Sequence, residues 1–234
     1  MSRIIILLLF VTILASSVRR VVIVRSTSLM APDAEVAPMI SKGEQLVKDG
    51  DIIARDYEDP LSQAIKRFNR IDPSYSHAGI VFIENGYPFV YHVLPNRKYN
   101  NGNICRDSLK RFCAASEING FGVFRYHLPP GAVNGMKQQL RAWQTQGIRF
   151  DPWFSYRSDD QLYCSEMVAK LISKASKGSV VFEFSRPTTL EKKVYLSRFP
   201  KAKQHPLEDS VLAIDNLYMN PHCETIARFL YTPY

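Results

Sequence analysis

The stretch from Ala78 to Val93 constrains the fold more than any other part of the chain. Ala78–Ile83 (AGIVFI) is an almost continuous apolar run rich in β-branched residues, and Asn85-Gly86 carries the signal of a two-residue hairpin turn. Phe89–Val93 (FVYHV) then returns, so this segment reads as antiparallel sheet with a defined register. With Asn85 and Gly86 as the turn residues, His92 stands opposite Gly79 and is a diagonal, same-face neighbour of His77. Gly79, lacking a side chain, leaves room between the two imidazoles.

Other elements follow from periodicity and punctuation. Ile52-Ile53-Ala54 after the Lys48–Asp51 turn, and Val123–Tyr126, read as strands. Leu61, Ile65 and Phe68 predict a short helix, and Val133, Met136, Leu140 and Trp143 predict a longer one that Gly147 ends. A further helix starts near Cys164, with Met167, Val168, Leu171 and Ile172 on one face and Gly178 at its close. Four segments result: 1–17 as a signal peptide or N-terminal membrane anchor, 18–39 as linker, 40–217 as the folded domain, and 218–234 as a C-terminal tail.

Residues 1–17 hold an apolar run from Ile4 to Leu14, shorter than the roughly 20 residues that span a bilayer, followed by small residues. Arg19, Arg20 and Arg25 come directly after it, and positive charge there resists translocation. A cleaved leader, an uncleaved anchor and a start at Met30 are therefore all open. Each of the first two places the protein in the cell envelope. Lys and Arg number 30 against 22 Asp and Glu, a net charge of +8 that favours anionic partners such as a membrane surface. No nucleic-acid motif stands behind that charge, and no P-loop, dinucleotide turn, HExxH or Ca²⁺ loop appears. No cofactor and no metal are expected.

Three residues can carry nucleophilic chemistry. Cys164, at a helix start, meets unpaired backbone N–H groups and the positive end of the helix dipole, which favour thiolate and can hold an oxyanion. His77, opening a strand, suits a general base, and His92 is placed to orient it. Against this stand the plain readings: a lone Cys is usually a buried small hydrophobe, and a strand His usually a hydrogen-bonded structural residue. A zinc site built from His77, His92 and Cys164 lacks a short ligand pair. Cys105 and Cys113 can pair as a disulfide or simply fill space. Asp51 reads as a turn former and Glu166 as serving the helix N-terminus.

Four segments in order, Gly50-Asp51-Ile52-Ile53, Ser76-His77-Ala78-Gly79-Ile80-Val81, Gly147 with Phe150-Asp151 and Phe154, and Tyr163-Cys164-Ser165-Glu166-Met167-Val168, resemble the motifs of the circularly permuted papain-like amidases (YiiX/YaeF-like, within the NlpC superfamily). The resemblance covers about 49–217. It implies an α+β papain-like cysteine hydrolase fold, a small antiparallel sheet packed on helices, in which the strand bearing His precedes the helix bearing Cys. It also implies Cys164 as nucleophile and His77 as base; beside them, Tyr163 reads as a candidate oxyanion donor and Ser165 and Ser76 as supporting neighbours. This chain departs from the family at two positions: His92 where Glu is frequent, and Phe150 where a Tyr commonly precedes Asp, which removes one hydroxyl donor. The expected reaction is hydrolysis or acyl transfer at an amide or ester, with a lipid or acyl amide preferred to a peptidoglycan peptide as substrate. The competing expectation is a non-catalytic lipid-binding module on the same fold.

Overall fold

The structure, a computed structural model, describes residues 22–25, 33–95, 103–114, 116 and 118–231. The leader or anchor expected at 1–17 lies outside the described residues. Among the described residues, no helix is long and apolar enough to cross a membrane.

In chain order the elements are β1 (Val22–Arg25), α1 (Asp33–Leu46), β2 (Ile52–Tyr57), α2 (Pro60–Lys66), β3 (His77–Glu84), β4 (Tyr87–Val93), β5 (Ile104–Ser108) and α3 (Leu109–Phe112). There follow β6 (Ile118–Tyr126), α4 (Ala132–Gln146), β7 (Arg149–Phe150), β8 (Gln161–Leu162), α5 (Cys164–Ala175), α6 (Thr189–Arg198), α7 (Ile214–Tyr218) and β9 (Cys223–Leu230). Seven strands form one sheet in the order β1-β9-β6-β2-β3-β4-β5, while β7 and β8 pair separately. All neighbours in the large sheet are antiparallel except β1, which runs parallel to β9. This is an α+β fold.

Strand alternation divides the core in two. Ala78, Ile80 and Phe82 of β3 face α5, where Met167, Val168, Leu171 and Ile172 are fully buried. Val81 and Val90 face the other way, into a cluster with Val36, Met39 and Ile40 of α1 and Leu109 and Phe112 of α3. The β3–β4 hairpin has the expected register, Ile80 opposite Tyr91 and Glu84 opposite Tyr87, and its turn residues take positive φ, 50° at Asn85 and 82° at Gly86. That is the backbone a two-residue turn between twisted strands requires. Asp59 caps α2 by accepting from Leu61 N and Ser62 N, and Gly147 ends α4 at φ 70°.

Two domain boundaries move outward. The linker expected to run to residue 39 is helical from Asp33, with Pro38 inside the helix. Pro38 argues for a break locally, but the stripe Val36, Met39, Ile40 and Val47 packs on the sheet, and Gly43 lets the helix close on the Phe121 ring. The tail expected from residue 218 contains β9, which pairs along its length with β6 near the middle of the sheet. Its sequence, CETIARFL, is not a strong strand pattern; the neighbouring strands dictate its conformation.

Candidate active site

The end of the hairpin away from its turn is where the candidate residues meet. His77 Nε2 lies 3.0 Å from His92 Nδ1, with the rings nearly perpendicular. Gly79 makes this approach feasible, because a Cβ there would stand 3.1 Å from the His92 Cβ, 2.8 Å from Tyr91 O and 2.6 Å from a Val90 methyl. Both imidazoles rest against the Phe112 ring, with centroids 5.8 and 5.0 Å away. Both are buried.

The chain of contacts continues to a residue that the sequence did not single out. Asp107 Oδ2 lies 3.1 Å from His92 Nε2, and Arg111 Nε is 3.2 Å from the other carboxylate oxygen. The hydrogen bond with His92 holds the Asp107 carboxyl below its usual range, with burial opposing and Arg111 and Arg55 assisting. In β5 it is Cys105 that pairs with His92, which makes Asp107 a diagonal neighbour. A strand reading of Ile104–Ser108 would have exposed this geometry, but ICRDS offers little hydrophobic alternation to suggest one.

Arg55 closes the cluster on the other side. It pairs with His77 across β2 and β3, stacks its guanidinium 3.8 Å over Phe112, and donates to Phe112 O at 2.6 Å.

Cys164 is the first residue of α5 and is only 4% exposed. The β3–β4 pairing begins at Ile80–Tyr91, so Ala78 lies beyond the last rung. Val81 N–H donates to Asp51 on the β2 side, and N–H groups alternate along a strand, so that of Ala78 faces the side β4 has vacated. The sulfur of Cys164 occupies this gap: the N–H groups of Ala78, Ser165 and Cys164 itself pull the thiol pKa down. Burial nevertheless pushes it above the ordinary thiol value, the larger of the two effects. A helix start favours thiolate, but here α5 begins inside the core and burial acts against that preference.

The polar neighbours brace the start of α5. Tyr163 Oη accepts from Leu212 N (3.0 Å) and Ser165 Oγ donates to Leu212 O (2.6 Å), tying the helix to the segment ahead of α7. Ser76 Oγ accepts from Tyr57 N (3.1 Å) just ahead of His77. Glu166 Oε2 accepts from Tyr163 N (3.1 Å) and its other oxygen pairs with Lys170 (2.8 Å), serving the helix N-terminus as its position suggested. Asp51 forms the turn as expected, accepting from Lys48 N at 2.7 Å, and is also buried and held by Arg125 through two contacts, of 2.7 and 2.6 Å. Phe154 belongs to the core, edge-on to Phe68 and beside Tyr163 and Tyr195, while Trp153 and Tyr156 are half-buried. Phe150 sits in the two-residue β7 against the edge of Phe199. All four cysteines are free thiols, and Cys113 fills the cluster beneath α1.

A family model for the permuted papain-like amidase enzymes (YaeF/YiiX, C92 family) matches residues 46–227. The chain belongs to this family. The permuted papain-like amidases also supply its relatives: it is 30% identical over 189 residues to the uncharacterized protein YiiX of Escherichia coli strain K12, covering 76% of this chain and 85% of that protein. A crystal structure described as that of metalloprotein yiiX from Escherichia coli O157:H7 superposes with a TM-score of 0.62 at 25% identity, covering 80% of this chain and 99% of that one. Membership in the permuted papain-like amidases carries a cysteine-hydrolase type of activity in general.

Proposed function

We propose that the protein is a thiol amidase or esterase that forms an acyl-enzyme on Cys164, with His77 as base and acid and His92 orienting His77. The observation that carries this reading is the arrangement at the open end of the hairpin: a buried imidazole pair at 3.0 Å, with the N–H of Ala78, one residue on from His77, turned to a helix-start thiol. His77 takes the thiol proton as sulfur attacks the carbonyl, then delivers it to the leaving amine or alcohol. Water then attacks the thioester, losing its proton to His77. The N–H groups at the start of α5 face the reacting centre and suit the oxyanion.

A metal-centred reading is less well supported. The donors of His77 and His92 face each other along a hydrogen bond, the far nitrogen of His92 is turned to Asp107, and Cys164 enters from the α5 side. Among the described residues, no three His, Cys, Asp or Glu side chains converge on one point. The donor set does not fit a bound ion.

For the acyl group, a lipid amide or ester is preferred to a cell-wall peptide. The aromatic side chains of Trp153 and Tyr156 after Asp151 and the net charge of +8 favour an apolar acyl chain and an anionic membrane surface. The apolar 4–14 segment supports a place in the cell envelope. The test incubates the protein with p-nitrophenyl esters and aminocoumarin amides of short and long acyl chains, with turnover and intact mass as readouts. Acylation of Cys164, abolished in Cys164→Ala and slowed about 10²- to 10⁴-fold in His77→Ala, is expected. Vesicle binding with no acylation in any variant would favour the lipid-binding module instead.

A further inference from the structure

The three contacts His77–His92–Asp107 decide more than orientation; they decide where the protons are. A carboxylate only accepts hydrogen bonds. Asp107, held ionised, therefore requires the His92 proton to sit on Nε2. With one proton on His92, its Nδ1 presents a lone pair, and the nitrogen facing it, Nε2 of His77, is then the one that carries hydrogen. The lone pair of His77 is left on Nδ1, the ring nitrogen next to its own main chain. That main chain leads directly into the Ala78 N–H that faces the Cys164 sulfur.

We propose that Asp107 is a positioning residue for the thiol reaction: its carboxylate fixes the tautomers of two successive imidazoles, so that Nδ1 of His77 is the atom that takes the thiol proton. The proposal rests on the Cys164–His77 chemistry proposed above. When His77 becomes imidazolium, Nε2–H still donates to His92 and His92 still donates to Asp107, so no proton need leave the relay. The charged groups around the pair are Arg55 from β2, Asp107 from β5 and Arg111 from α3, and the Cys164 thiol of α5 lies at the Ala78 N–H, one residue on from His77. Asp107 is thus the one carboxylate among the groups named there, opposite in sign to Arg55. Arg111 does a second job: by engaging Oδ1, it presents Oδ2 to His92.

Arg111 also makes the test sharp. In Asp107→Asn the carbonyl oxygen is expected to stay on Arg111, turning the amide NH₂ towards His92. His92 Nε2 must then accept, Nδ1–H donates to His77, and the His77 proton moves to Nδ1, removing the base. The first measurement needs no substrate: ¹⁵N chemical shifts of the imidazoles in the wild-type protein, assigned with single His→Gln variants. An unprotonated Nδ1 on His77 and a protonated Nε2 on His92 are expected; the reverse pattern would overturn the proposal whatever the enzyme does. In Asp107→Asn the two tautomers should exchange, with kcat falling about 10- to 100-fold at little change in KM. The acid limb of kcat/KM should also move to lower pH, because a negative charge that favours imidazolium is gone. Adding Arg111→Ala lets the Asn side chain rotate its carbonyl to His92 and should restore part of the rate. A merely structural Asp107 predicts further loss in the double variant and unchanged tautomers, and either result refutes the assignment. Activity that survives Cys164→Ala would instead refute the thiol reading, leaving the ¹⁵N result to stand or fall separately.

Discussion

The two ends of the β3–β4 hairpin have the same backbone architecture and opposite surroundings. At the turn end, the Glu84–Tyr87 pair closes the ladder, Tyr87 is 70% exposed, and the polar groups satisfy one another at the surface. There Arg106 pairs with Glu84, which also accepts from the Tyr91 hydroxyl, and Lys137 pairs with Asp49. At the open end the ladder stops early, His92 is wholly buried, and the N–H of Ala78 turns to a sulfur instead of to a strand. A ladder with every rung paired is inert. The proposed chemistry sits where the last rung is withheld and a helix start fills the gap.

This contrast predicts unequal costs for small changes at the two ends. The largest is expected at Gly79. A methyl there meets the Val90 side chain and Tyr91 O at under 3 Å, so Gly79→Ala must part the strands near the imidazoles. About 1 to 3 kcal/mol of stability should be lost in urea titrations, together with most of the activity. Full activity in a stable Gly79→Ala protein would remove the case that the close approach of His77 and His92 matters.

A smaller effect should come from Glu166, the buried carboxyl under the start of α5. Burial raises its pKa to about 8 from 4.5, with Lys170 opposing. The folded protein therefore binds more protons than the unfolded chain between those values, and its stability should fall as pH rises from 4.5 towards about 8. Glu166→Gln keeps an acceptor for Tyr163 N and should flatten that fall, as denaturation at pH 5 and pH 8 would reveal. An unchanged slope would mean that the carboxyl is already ionised at pH 5.

The smallest change belongs to the turn end. Nothing lies within 4 Å of a Cβ built on Gly86, so Gly86→Ala costs only the positive φ of 82°, about 1 kcal/mol. Activity should stay within twofold of wild type. A large loss of activity there would mean that the two ends communicate, and the contrast would fail.

Much of this site was legible in the chain itself. Asn85-Gly86 set the turn, the turn set the register, and the register placed His92 diagonal to His77, because side chains alternate with a period of two along a strand. The helix at Cys164 was equally visible from its apolar face and from Gly178. What escaped was non-local. Asp107 sits on an edge strand whose sequence has no strand signature, and it becomes a partner of His92 only through the β4–β5 pairing. Pro38 and the uneven CETIARFL segment concealed α1 and β9, both of which are held by what they pack against. The thiol is the clearest case: the start of a helix favours thiolate by itself, yet burial against β3 outweighs that preference. The sequence by itself determined local conformation, register and the identity of the candidate groups, since these depend on neighbours a few residues away. Only the tertiary structure decided how deeply the thiol is buried and which carboxylate stands at the far nitrogen of His92. Desolvation and hydrogen-bond direction depend on atoms that only folding brings together.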